Sequence, residues 1–324
     1  MEGSPISIFL VFLLLSGCYV GWNIGANDTA NCIGTTIGCG LLNFRRAVMI
    51  VAIFTVLGAI LQGQHVMDTI GKGIVQAELN YLAVLIALLC SGLFVTLATF
   101  FSIPTSTSQA MVGGVLGIGL ATGSSINFSK VLIIVESWVV CPILTLALAF
   151  VLLRGINVLL RTISGRSFMV QNFLGWLTIL ASCYLAYTMG ANNAGNAIGP
   201  LANLGILPPR ILLTIGGLAI AAGAITYGRK VSETVGKGIT PLDIPSAFCA
   251  QCASAFGLHL FSIFGIPVST STAIVGAVIG VGIVKGAKAV NTRTILTIVA
   301  GWVLTPCLAA GTSFVLYFAI NSLL

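Results

Sequence analysis

The sequence predicts an all-α polytopic membrane protein made of two inverted-topology repeats of about five helical elements each, with broken or re-entrant helices at its centre. Three observations carry this. Charged residues are 6% and hydrophobic residues 57% of the 324 positions, whereas a soluble domain has about 25% charged residues. Apolar runs recur at 6–22, 47–61, 82–101, 131–153, 174–189, 211–224, 248–264 and 295–320. About 20 helical residues cross the roughly 30 Å hydrocarbon layer, and no alternating strand pattern competes. Finally, a set of short motifs appears twice in the same order.

The first half reads as five apolar elements, near 6–24, 45–63, 80–101, 105–122 and 130–153. The first lacks the positive leader of a signal peptide and runs straight into a repeated motif, so it is expected to be a retained helix. GANDTANCIG (25–34) returns as GANNAGNAIG (190–199), identical at six of ten positions. TIGKGI (69–74) returns as TVGKGI (234–239), and SWVVCP (137–142) more weakly as GWVLTP (301–306). IPTSTSQAMVGGVLGIG (103–119) returns as IPVSTSTAIVGAVIGVG (266–282), identical at 11 of 17. The offsets are 165, 165, 164 and 163 residues, the mark of an internal duplication. The first repeat is placed at 1–157, a basic connecting segment at 158–171, and the second repeat at 172–324.

Orientation follows from parity and charge. Five crossings per half, or three if the third and fourth elements form a re-entrant hairpin tipped at SIPTST, both send the second half in from the opposite face. With the N-terminus outside, Arg45, Arg46, Arg154, Arg161, Arg166, Arg229, Lys230, Lys237, Lys285, Lys288 and Arg293 fall inside. Lys72, Lys130 and Arg210 fall outside, in keeping with the positive-inside rule. A multi-pass protein of the cell membrane with both termini outside is the expectation. Inverted repeats let two similar halves exchange conformations and open a central site to each side in turn.

The two GAN motifs place polar residues at membrane depth, where they are tolerated only inside protein or along a wet cavity. Gly25 and Gly34 are expected to let the helix unwind, freeing carbonyls. Asn27, Asp28, Thr29 and Asn31, with Asn192, Asn193 and Asn196 of the second copy, offer hard oxygens suited to sodium. A mid-membrane carboxylate such as Asp28 costs roughly 2.5–3.5 kcal/mol to insert. The paired IPxSTS stretches read as starts of half-helices, with proline in the first turn and serine or threonine capping. Their free N–H groups and positive dipole ends make an anion site. The hydroxyls of Ser106, Thr107, Ser108, Ser269, Thr270, Ser271 and Thr272 and the Gln109 amide add donors.

Neither motif contains lysine or arginine, so an anion held there needs bound cations beside it. Cation–anion symport follows. Voltage-clamped flux without cation dependence would instead favour an anion channel, which needs a continuous polar lining. No serine has a histidine or lysine partner and no ATP-binding motif occurs, so no enzyme and no cofactor is expected. The net charge of +7 sits in loops between apolar segments and does not point to nucleic acid. The nine cysteines lie scattered in apolar stretches, with CAQC (249–252) unsupported as a zinc site. Glu136 reads as an interface residue or a proton relay, Lys72, Lys237, Asp68, Glu233, His65 and His259 as interface or loop groups, and Trp138 and Trp302 as packing anchors.

GANDTAN, GANNAGN, TVGKGIT and the paired IPxSTS motifs together resemble the inorganic phosphate transporter (PiT) family over nearly the whole chain. The resemblance implies import of phosphate with sodium or protons, sodium favoured, by a lipid-embedded protein that is often a homodimer. By motif position it makes Asn27, Asp28, Asn31, Asn192, Asn193 and Asn196 the cation residues. Thr107, Ser108, Gln109, Thr270, Ser271 and Thr272 become the phosphate residues. Three positions depart from the family pattern: Asn193 stands where many members have aspartate, and Gln251 and Thr55 where they often have glutamate. Fewer acids leave the coupled ion and its stoichiometry open, and leave a sulfate permease of the same family as an alternative.

Overall fold

Helices dominate the described residues of the computed structural model, which are 5–100, 105–162, 168–235, 242–286 and 292–323. They are α1 (Pro5–Gly38), α2 (Phe44–Gln62), α3 (Gln64–Asp68), α4 (Tyr81–Phe100), α5 (Thr107–Ala121), α6 (Phe128–Thr162), α7 (Phe168–Asn203), α8 (Pro209–Val235), α9 (Ile244–Ile263), α10 (Thr270–Lys285) and α11 (Thr292–Asn321). A π-helical turn, Thr69–Gly73, follows α3 and contains most of the TIGKGI motif. Pro104, Arg166, Lys237 and Lys288 lie outside the described residues. So does most of the second TVGKGI copy. The helical ends of α6 and α7 take up 158–162 and 168–171 of the expected connecting segment.

Among the described residues eight helices are long and apolar enough to cross a membrane, and the protein is a multi-pass membrane protein. α5 and α10, with 15 and 16 residues, are apolar helices too short for that. At 1.5 Å per residue they reach about 23 Å, less than the hydrocarbon thickness. Both carry the expected serine caps. Ser106 and Ser269 are N-caps in extended conformation, accepting from the N–H of Gln109 (3.2 Å) and Thr272 (3.4 Å). Pro267 sits two residues before its cap rather than in the first turn, while Gly265, at φ 67°, makes the turn out of α9.

The GAN motifs correct the expectation. Neither is unwound: α1 runs unbroken through 25–34 and α7 through 190–199. The reason is packing. A Cβ on Gly25 would overlap the Ile220 carbonyl of α8, and one on Gly190 the Thr55 carbonyl of α2. Gly223 and Gly58 meet the carbonyls of Trp22 and Tyr187 in the same way. These glycines bring backbones together as small residues do in membrane helix pairs, and that contact outweighs the roughly 1 kcal/mol helix penalty of glycine. Gly34 faces open space and the helix continues past it regardless.

The neighbours of each helix exchange between halves. α1 packs on α8 and α7 on α2; α5 packs on α11 and α10 on α6. α4 and α9 each back the short helix that follows them. α1 and α7 lie side by side and run antiparallel: Gly17 meets Leu201, Cys32 meets Met189, Thr36 bonds Ser182 (2.5 Å) and Leu41 meets Gly175. One end of the bundle therefore gathers the end of α1 and the starts of α2, α7 and α9. Large apolar side chains such as Ile53, Leu97, Val139 and Phe318 face outward, where lipid replaces water as solvent.

Candidate functional site

Asp28 is 1% exposed, in the middle of α1, and four helices converge on it. From α5, the Thr107 hydroxyl donates to Oδ2 at 3.3 Å. From α10, the Ser271 hydroxyl donates to Oδ1 at 3.4 Å. From α7, the Asn193 amide donates to Oδ2 at 3.3 Å. Asn31, one turn along α1, donates to Oδ1 at 3.3 Å and also to the Ser271 oxygen at 3.2 Å. A carboxylate buried in this way needs such donors.

Asn193, the repeat counterpart of Asp28, is the centre of a matching set. Its amide donates to Thr270 Oγ1 at 2.9 Å. Its Oδ1 accepts from Ser108 (3.3 Å) and from Asn196 (3.0 Å), and Asn196 also reaches Ser108 Oγ at 2.8 Å. Each centre thus contacts the threonine of its own half's short helix, the serine of the other half's, and the asparagine one turn further on. The starts of α5 and α10 meet there, aiming N–H groups and positive dipole ends at one place. Among the described residues meeting here none is basic.

Of the twelve residues expected at the site, eight form this network: Asp28, Asn31, Thr107, Ser108, Asn193, Asn196, Thr270 and Ser271. The other four flank it. Asn27 donates to Thr99 on α4 at 3.0 Å. Asn192 bonds the backbone carbonyl of Val268, just before α10. Thr272 turns its hydroxyl back to the Ser269 carbonyl at 2.8 Å, a cap contact. Gln109 is buried with its side-chain oxygen unpaired among the described residues. The Asn196 oxygen is likewise unpaired among the described residues, and two buried carbonyl oxygens lacking donors are what a cation would use.

One contributor escapes a motif reading. The Val268 carbonyl accepts from both Asn192 and Ser108, the latter at 2.9 Å, and a backbone atom leaves no trace in residue type. Gln251 on α9 donates to the Cys32 carbonyl (2.7 Å) and to Thr35 (2.6 Å), with its own oxygen unpaired among the described residues. Thr55 bonds the Ala186 carbonyl at the α2–α7 crossing and stays outside the network. Glu136 is exposed on α6 and also takes no part in it.

Residues 24–313 match the model of the phosphate transporter family. A Pyrococcus furiosus protein named as a candidate phosphate permease is 30% identical, over 100% of this chain and 98% of its own. The Arabidopsis thaliana chloroplastic inorganic phosphate transporter 2-1 is 28% identical over 90% of this chain and 69% of its own. A solved structure described as the sodium-dependent phosphate transporter superposes with a TM-score of 0.89 at 28% identity, covering 98% of this chain and 100% of that one. The match to the family over most of the sequence, together with a network built from the motifs that carry the resemblance, makes this chain a member of the phosphate transporter family.

Proposed function

We propose that the chain is a secondary transporter that imports inorganic phosphate together with sodium, by alternating access around the Asp28–Asn193 pair. The observation that carries this is the meeting of two capped helix N-termini at a single buried carboxylate. N-termini favour an oxyanion, yet Asp28 repels one. At 4 Å, and at the effective dielectric of a protein, each pair of unit charges is worth about 4 kcal/mol. A helix end returns only about 0.3–1 kcal/mol, up to about 2 when partly buried. Two ends cannot offset a dianion beside Asp28. A sodium ion between them attracts both the carboxylate and the phosphate, and these added terms offset the repulsion, so phosphate binds well only with its cation.

In this reading Thr107, Ser108, Thr270 and Ser271 hold phosphate, with the N–H groups behind them. Asp28, Asn31, Asn193 and Asn196 hold sodium, with Gln109 supplying a further oxygen. The antiparallel course of α1 and α7 and the exchanged helix neighbours support an inverted repeat, with both termini outside and two interconvertible halves. The test is uptake of labelled phosphate and sulfate into proteoliposomes with and without an inward sodium gradient. Phosphate uptake driven by sodium is expected. Equal uptake with potassium would remove sodium coupling, current without coupling would favour a channel, and preferred sulfate would reassign the substrate.

A further inference from the structure

Where α1 gives way to α2 and α7 begins, a cleft of about 840 Å³ is lined by Leu42, Arg45, Arg46, Met49, Ile50 and Trp176, among others. We propose that it binds an anionic glycerophospholipid, with the lipid phosphate against Arg45 and Arg46 and the acyl chains along Met49 and Ile50. The cleft has two chemistries in the order an amphiphile needs. Both arginines sit in the first turn of α2, whose 19 residues form a span of mean hydropathy 2.0. They therefore stand at headgroup depth, where the hydrocarbon begins. Below them Met49 is 52% exposed, and Trp176 on α7 is 68% exposed, a side chain that favours the membrane interface.

The two guanidinium groups are available for a phosphate. Of the other basic residues expected on the same face, Lys285 pairs with Asp243 at 3.2 Å, and Arg154 lies 5.1 Å over the Phe150 ring. No described carboxylate pairs with Arg45 or Arg46. Arginine engages phosphate oxygens in a bidentate fork, and exposed Asn172 lines the same cleft as an amide donor. Basic clefts between membrane helices on the positive face suit anionic headgroups. A free phosphate ion would use the arginines but gain nothing from the apolar floor.

The experiment titrates purified full-length protein in neutral detergent with phosphatidylglycerol or phosphatidylcholine and counts retained lipid by native mass spectrometry. Phosphatidylglycerol is expected to bind about 25-fold better, with about fivefold lost for each arginine in Arg45→Gln and Arg46→Gln, and to stay bound in excess inorganic phosphate. Equal retention of the two lipids, unchanged retention in the double variant, or displacement by inorganic phosphate would overturn the proposal. So would a dimer that dissociates in the double variant with lipid binding unchanged, which gives the cleft to a second copy. If the double variant does not fold, quenching by brominated-chain phosphatidylglycerol decides. It must fall in Trp176→Phe relative to the parent, and equal quenching in both would overturn the assignment.

Discussion

The two centres of the site differ by one charge and by their access. Asp28 and Asn193 make the same kinds of contact with the same kinds of neighbour, yet one carries a carboxylate and the other an amide. Around Asp28, Asn27, Asn31 and Ser271 are partly exposed; around Asn193, Asn192, Asn196 and Ser108 are wholly buried. Asn192 ties down the backbone before α10, whereas its counterpart Asn27 bonds Thr99, and the hydroxyl of Thr105, the counterpart of Val268, is unpaired among the described residues. A duplicated frame can thus hold one centre open and the other sealed. On the alternating access proposed above, such an inequivalence is what would let the two halves face opposite sides in turn.

The largest expected effect comes from removing the charge that separates the centres. Asp28→Asn should lower sodium-driven phosphate uptake roughly 10- to 100-fold, since hydrogen bonds to a charged group are worth about 1.5–3 kcal/mol. Wild-type sodium dependence in that variant would break the comparison. The reciprocal change, Asn193→Asp, sets two carboxylates side by side. It should lower the unfolding temperature in sodium-free detergent and steepen the sodium dependence of both unfolding and uptake.

Next come the glycine crossings. Gly25→Ala drives a methyl into the Ile220 carbonyl and should destabilise the protein by about 1–3 kcal/mol, read as a drop in unfolding temperature. Gly34→Ala meets open space and should stabilise it by up to about 1 kcal/mol. Equal effects would mean that the close approach of α1 and α8 is not what the motif glycine serves.

A smaller contrast separates donors to the centres from cap contacts. Thr107→Ala and Ser271→Ala should each weaken phosphate affinity about two- to tenfold, as loss of one hydrogen bond does. Thr272→Ala, whose hydroxyl serves Ser269, should leave affinity within about twofold. Isothermal titration with phosphate in saturating sodium reads all three.

The smallest effect lies outside the membrane span, where the halves differ again. Asn80 caps α4 and Asp243 caps α9, each accepting a backbone N–H, from Ala83 and Ser246 respectively. Burial opposes ionisation of Asp243, but the Ser246 bonds and Lys285 hold its carboxyl below the usual carboxylate range. A depressed carboxylate stabilises the fold above its unfolded pKa of about 3.9 and loses that contribution as pH falls through the lower folded value. The exposed pair is worth under about 1 kcal/mol. Unfolding temperatures of parent and Asp243→Asn should differ at pH 6 and converge as pH falls below the lowered folded value, while Asn80→Ala should shift stability equally across that range.

Much of this was legible in residue types. The hydropathy runs marked the spanning helices, and the repeated IPxSTS stretches marked the capped starts of α5 and α10. The doubled GAN motif marked the polar centre. What stayed hidden depended on which helices touch. Glycine within a polar motif reads as a breaker on intrinsic propensity; only the carbonyl of a crossing helix shows it to be a contact surface. The handing of Ser108 to Asn193 and of Ser271 to Asp28 crosses between halves, and no spacing along one half encodes it. The Val268 carbonyl carries no side-chain identity at all.

The exchange of partners also sets a timetable for biosynthesis. α5 rests on α11, which lies at the other end of the chain. At about 5–20 residues per second, this polar-tipped short helix waits on the order of 10–30 seconds in the bilayer before its support is made. A nascent chain truncated ahead of α11 should present the α11-facing side of α5 to membrane quality control uncovered, although α4 already backs its other side.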